Sequence, residues 1–240
     1  MKNLDEIAKG YNDLHNEWRT LENMVRNNEF NKFLAHVKST KNVLEIGLGD
    51  GVFTKMLGEK FDNIIAVDGS QVTINNIEKD LSEFNNIEYI CSYIEDLELD
   101  NTVDNIVMSH ILEHLDTPVE TLENLKNIMN KDTVLYISVP NAMSIHRQVA
   151  VKMGLLDQVT QLNKTDHRLG HKIVYKRENF QEDIKKAGLK IVEFGGSMIK
   201  PLANKQIEDN WTPEMIDGFI KLGDDYPELC GDIYVVVKLG

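Results

Sequence analysis

The stretch from Asn42 to Gly51 reads N-V-L-E-I-G-L-G-D-G. A short apolar run, Val43 to Ile46, carries a single acid, Glu45, and then breaks into three glycines at alternate positions, Gly47, Gly49 and Gly51. A helical pattern, V-F-T-K-M-L, follows at once. The order is buried strand, glycine turn, helix start. Glycine allows positive φ and lets a ligand approach the backbone with no Cβ in the way. The helix start adds free N–H groups. Together these features predict a site for a nucleotide-type cofactor.

Working outward from residue 42, strands and helices alternate. Strands are expected at Asn42–Ile46, Asn63–Asp68, Ile87–Ser92, Val103–Ser109 and Thr133–Val139, with helices near Val52–Lys60, Gln71–Phe84 and Val119–Met129. The strands are short and rich in Val and Ile, as when both sheet faces are covered. This alternation predicts an α/β, doubly wound parallel sheet. Ahead of it, apolar residues at spacings of three and four predict a helical cap over residues 4–38, interrupted near Arg26–Asn28. After Pro140 a long insertion runs to about Tyr175. A helix, Glu178–Ala187, and two strands, Lys190–Phe194 and Asp232–Lys238, close the chain, with a further helix after Pro213. We read residues 1–240 as one domain: a cap at 1–40, a cofactor-binding core at 41–140, an acceptor-site insertion at 141–177 and the rest of the sheet at 178–240.

The 240 residues carry a net charge of −13, which argues against nucleic acid or an anionic membrane as the main partner. Two cysteines, Cys91 and Cys230, offer no disulfide framework and no metal spacing, and Cys91 is expected as a buried thiol. The N-terminus has no signal-peptide core, and no stretch nears the roughly 20 apolar residues of a membrane span. The expected address is cytoplasmic.

Two cofactors compete for the turn. A dinucleotide site has G-x-G-x-x-G and an acid about 20 residues on. Asp68 ends the second strand 21 residues after Gly47, followed by Gly69, and fits ribose binding in either case. The spacing here is G-x-G-x-G, however, and Glu45 would repel a pyrophosphate. S-adenosylmethionine carries a sulfonium and an ammonium instead, which a carboxylate suits.

The motifs E-I-G-L-G-D-G, A-V-D-G-S, I-E-D-L and H-I-L-E-H-L-D-T-P, in this order over residues 40–140, resemble the class I S-adenosylmethionine-dependent methyltransferases. That resemblance implies a Rossmann-like seven-stranded sheet whose last strand is antiparallel. It implies that Gly47, Gly49 and Gly51 approach the methionine portion, that Asp68 binds the ribose, that Ile94 and Glu95 flank adenine, and that Ser109 and His110 line the methionine end. Tyr11 resembles a cap tyrosine that closes over the cofactor's carboxylate, although a core contact explains it equally well. Such folds commonly form homodimers through the cap or the insertion.

The acceptor is expected under the insertion, which lies at the carboxyl ends of the strands. There P-N-A-x-S-x-H-R and D-H-R-L-G-H-x-x-x-Y resemble methyltransferases of bacterial surface-polysaccharide (capsule) pathways. Between Ile145 and Arg177 stand seven Lys or Arg against two Asp, +5 on an acidic chain, which suggests a small anionic acceptor. Asn141, Arg147, Arg168 and Tyr175 are the expected acceptor contacts. For O-methylation the base candidates are His167 first, then His146 and His171, with His110 and His114 as alternatives. No metal is expected: His167, His171 and Asp166 could contribute ligands, but Gly170 between the histidines favours a turn. The reading is therefore O-methylation of a phosphorylated or nucleotide-linked sugar, or of a phosphoramidate or phosphate group. An N-methyltransferase, a nicotinamide-dependent oxidoreductase and a non-catalytic cofactor-binding protein are the alternatives.

Overall fold

The computed structural model describes Leu4, Asp5 and residues 19–240. Among these, seven strands form one sheet: β1 (Asn42–Ile46), β2 (Asn63–Asp68), β3 (Ile87–Cys91), β4 (Val103–Ser109), β5 (Met129–Pro140), β6 (Leu189–Gly196) and β7 (Asp232–Leu239). Their order is β3-β2-β1-β4-β5-β7-β6. β1 to β5 pair in parallel, and β7 is antiparallel to both neighbours. The chain moves outward from β1 to β3 and then returns to β4 on the other side of β1. That reversal opens a crevice at the carboxyl ends of β1 and β4, where open α/β sheets bind ligands.

The helices are α1 (Arg19–Leu34), α2 (Val52–Gly58), α3 (Gln71–Asp80), α4 (Pro118–Leu125), α5 (Ile145–Lys152), α6 (Lys164–Leu169), α7 (Arg177–Lys186), α8 (Asn204–Asn210) and α9 (Pro213–Asp225). Successive strand residues face opposite sides. Val43, Val107, Val134 and Tyr136 meet Phe30 and Phe33 of α1 and Phe53 and Leu57 of α2. Leu44, Ile106, Leu135 and Ile137 meet Leu122 and Leu125 of α4 and Phe180 and Ile184 of α7. A third cluster joins Leu21 of α1 to Met198, Ile207, Ile216 and Ile220, and so holds the cap against the C-terminal segment.

Several local expectations change. α1 runs unbroken through Arg26–Asn28, because its polar residues there have partners. Arg26 lies 3.8 Å from both Glu22 and Asp50, and Asn28 donates to the Ser197 carbonyl at 2.9 Å. The third core helix, α4, stops at Leu125 rather than Met129, and β5 starts at Met129 rather than Thr133. Cys91 is exposed, because β3 is the outermost strand on its side of the sheet. Tyr11 lies outside the described residues. Among the described residues no helix is long and apolar enough to cross a membrane.

Candidate active site

The glycine turn is set by its backbone. Gly47, Gly49 and Gly51 have φ of +79°, +55° and +77°. A Cβ on Gly47 would stand 2.0 Å from Ile111 Cδ1, so the turn and the loop after β4 share one tight contact. Asp68 ties the second loop to the first: its carboxylate accepts from the Leu48 amide at 3.0 Å and the Ser70 amide at 2.8 Å. Burial raises its pKa against the pull of these two bonds. Carboxylate oxygens still have lone pairs to spare for a ribose. Gly69 sits against Leu4 and Tyr93, and Asp5 accepts from the Ser70 hydroxyl at 2.7 Å. Ile94 is buried in the core beneath this loop, and Glu95 is exposed. Glu45 is 2% exposed, and its Oε2 has no hydrogen-bond partner. Burial pushes its pKa up to about 8, although Thr54 and Arg26 act in the opposite direction. A glycine-rich turn beside a buried, unsatisfied carboxyl group fits a ligand bearing an ammonium and no phosphate.

Beside the turn lies a cavity of about 320 Å³. It sits at the ends of β4 and β5 and the start of β7, under α1, the insertion and the segment Met198–Lys205. His110 occupies its floor with φ +56°, a conformation that non-glycine residues rarely keep without a structural reason. Its ring lies 3.4 Å from Glu113 and 3.9 Å from Asp232. Burial opposes the charge, but Glu113, Asp232 and Glu29 outweigh it and lift the His110 pKa to about 10. Glu29 accepts from the Ser197 hydroxyl at 2.8 Å, and Ser109 pairs with Ser138 at 2.9 Å. The wall is formed by His171, whose Nδ1 lies 3.1 Å from Asp166, itself bonded to Arg147 and to the Asn163 amide. Burial works to raise the Asp166 pKa, but His171, the amide and Arg147 hold it down at about 2.

The family described as "Methyltransferase domain" matches residues 18–194, which include the turn, Asp68, the ends of β4 and β5 and the insertion. The chain belongs to that family. It is a class I S-adenosylmethionine-dependent methyltransferase domain, and S-adenosylmethionine is its cofactor. Among relatives, a ubiquinone biosynthesis O-methyltransferase of Acinetobacter baylyi is 23% identical over 82% of this chain and 84% of its own length. An (S)-tetrahydroprotoberberine N-methyltransferase of Eschscholzia californica is 26% identical over 43% of this chain, and the match spans 31% of that enzyme. A methyltransferase structure from Archaeoglobus fulgidus shares the fold, with a TM-score of 0.64, 19% identity and coverage of 95% and 99% of the two chains.

In this methyltransferase the expected residues separate into groups. Glu45 precedes the three glycines and Asp68 is bonded to their turn, while Gly69 and Ile94 belong to the second and third loops. His110, His146, His171, Asn141 and Arg147 line the cavity. Three of the acceptor contacts are committed elsewhere. Arg147 is 4% exposed and holds Asp166 and the carbonyls of Val159 and Gln161. Asn141 donates to the carbonyls of Glu228 and Cys230 and accepts from the Met143 amide. Tyr175 is fully buried, with its hydroxyl donating to Asp183 at 3.1 Å. His167 and Arg168 are exposed on α6, outside the cavity lining. Burial, Lys200 and Arg147 press the His146 pKa down to about 2, so it stays neutral. Glu29, Glu113 and Asp232 were missed. Glu113 stood in plain view in H-I-L-E-H; Glu29 and Asp232 carry no local signal, since only the packing of α1 and the placement of β7 bring them here.

Proposed function

We propose that this chain transfers a methyl group from S-adenosylmethionine to a small acceptor held in the cavity between α1, the insertion and the start of β7. The observation that carries the reading is the contact of Gly47 with Ile111, which puts the cofactor turn directly beside the loop that enters the cavity floor. The cofactor supplies an already activated methyl group, so the protein's task is mainly to align the acceptor. An oxygen acceptor must also shed its proton as its lone pair takes the methyl carbon and the C–S electron pair stays on sulfur. His110 keeps its proton up to about pH 10 and His146 refuses one down to about pH 2, so neither exchanges protons near neutrality. Of the other histidines in the lining, His114 and His171 are the candidates to take the acceptor's proton.

For the acceptor we favour a polar, hydroxyl-bearing metabolite. A phosphorylated or nucleotide-linked sugar remains the specific candidate. It is supported by the motif likeness in Asn141–Arg147 and by Lys200 on the cavity wall; Arg147 lends no further support. A second reading, an amine acceptor, draws on the acids Glu29 and Asp232 in the lining and on the N-methyltransferase relative. A transfer assay with tritiated cofactor over phosphorylated sugars, catechols and small amines tests both readings. Product from a hydroxyl compound supports the first reading and product from amines alone replaces it. Tight cofactor binding with no product in any class contradicts transfer to acceptors of these kinds.

A further inference from the structure

Glu113 poses a question that the cofactor does not answer. Its side chain is fully buried, and neither carboxylate oxygen has a hydrogen bond. The ring of His110 stands 3.4 Å from Oε1, and Oε2 faces no donor. A buried carboxylate with open lone pairs is costly unless something coordinates them.

Two histidines face it. One ligand atom each from Glu113, His114 and His171 lie within 4.8 Å of one another. Atoms about 2.0–2.2 Å from one tetrahedral ion stand about 3.3–3.6 Å apart, so closure needs up to about 1.5 Å of movement. Both rings are already oriented from behind. His171 Nδ1 is 3.1 Å from Asp166, which leaves Nε2 on the Glu113 side, 3.9 Å from Oε1. The His114 ring is hydrogen-bonded to the Gly170 backbone. The two rings pack edge to face at 4.9 Å. A carboxylate and a carbonyl on the outer ring nitrogens are the usual supports of metal-ligating histidines.

The backbone fixes the same arrangement. Glu113 and His114 lie in the 3-10 turn Leu112–His114. His171 arrives after Gly170 ends α6 with φ +83°, and the Lys172 amide donates to the Glu113 carbonyl at 2.8 Å. The motifs H-I-L-E-H and D-H-R-L-G-H, more than fifty residues apart, thus converge on one point. The neighbouring set Glu29, His110 and Asp232 differs, because Glu29 already accepts from the Ser197 hydroxyl.

We propose that Glu113, His114 and His171 bind one divalent transition-metal ion whose remaining positions face the acceptor cavity. Two imidazoles and a carboxylate suit Zn²⁺, Fe²⁺, Mn²⁺ or Co²⁺ better than Mg²⁺ or Ca²⁺, which favour all-oxygen sets. The ion's role rests on the methyltransferase reading: it would hold a hydroxyl oxygen and lower its pKa so that the proton leaves to solvent rather than to His114 or His171, and it would favour acceptors with two adjacent oxygens.

The test reads metal content rather than turnover. Chelator-stripped protein is dialysed against Co²⁺ or Zn²⁺, and bound metal is measured by mass spectrometry, with the visible cobalt bands as a second signal. One equivalent per chain is expected, at least tenfold weaker in Glu113→Gln and in His114→Ala, and unchanged in His167→Ala. If Glu113→Gln does not fold, His114→Ala decides. No stoichiometric binding by the folded protein, binding that survives the ligand variants, or loss in His167→Ala each overturns the site. S-adenosylhomocysteine binding, measured separately by calorimetry, shows whether the cofactor reading fails independently.

Discussion

The glycine turn and the cavity beside it occupy the same edge of the sheet but are built in opposite ways. The turn is one continuous stretch, Gly47 to Gly51, whose shape comes from backbone angles that only glycine adopts freely. The cavity is assembled from side chains between Leu21 and Asp232, on α1, the loop after β4, the insertion and β7. The turn depends on local conformation, whereas the cavity depends on buried polar pairs brought together by the whole fold. The two should therefore fail differently when altered.

The largest effect is expected at the turn. Gly47→Val combines a disfavoured φ with a 2.0 Å clash against Ile111, and should weaken S-adenosylhomocysteine binding more than about 100-fold by calorimetry. Gly154→Ala is its control: φ is +72° there too, but nothing stands within 4 Å, so a stability loss of about 1 kcal/mol with normal binding is expected. Equal damage from the two would mean that backbone angle alone governs the turn.

In the cavity wall the expected loss is in stability. Arg147→Met strands Asp166 and two carbonyls, and breaking a buried pair costs about 3–5 kcal/mol in urea unfolding. Unchanged stability with a raised acceptor KM would instead return Arg147 to acceptor binding.

The two halves should also part in their pH dependence. Glu45 has a raised pKa, so the folded state keeps a proton that the unfolded state loses above about pH 4.5. Its contribution to stability therefore falls as pH rises from about 4.5 to about 8, by at most about 1.4 kcal/mol per pH unit. Asp166 has a depressed pKa, so its contribution is full above about pH 4 and is lost as pH falls towards about 2. Glu45→Gln should remove the Glu45 share of the slope between about pH 4.5 and 8, to which His110 and His146 also contribute, and leave the Asp166 limb unchanged. A variant that keeps the neutral-range slope would place that proton elsewhere.

The smallest effect belongs to His167→Ala. Exposed and outside the cavity lining, it should change turnover by less than about twofold. A fall of a hundredfold would restore His167 as the base.

The same contrast explains what could be read from the sequence. β1, β2 and β4 and the turn between β1 and α2 announce themselves by strand composition and glycine spacing, which are local signals. The antiparallel β7 followed from the family likeness rather than from its residues. Arg147 and Tyr175 looked like acceptor contacts because a cation and a phenol in an insertion resemble binding groups; only packing shows that Asp166 and Asp183 consume them. Glu29 and Asp232 could not be selected among 39 acids, since elements far apart in the chain bring them to the cavity, whereas Glu113 is legible in H-I-L-E-H.

If the turn holds a methyl donor whose reactive end faces the acceptor cavity, a crystal structure with S-adenosylhomocysteine will show it. Ribose hydroxyls are expected at hydrogen-bond distance from Asp68, with the ligand's sulfur directed towards the space beside His110 and Asp232. A ligand bound away from the Gly47–Gly51 turn, or one whose sulfur points away from that cavity, would contradict it.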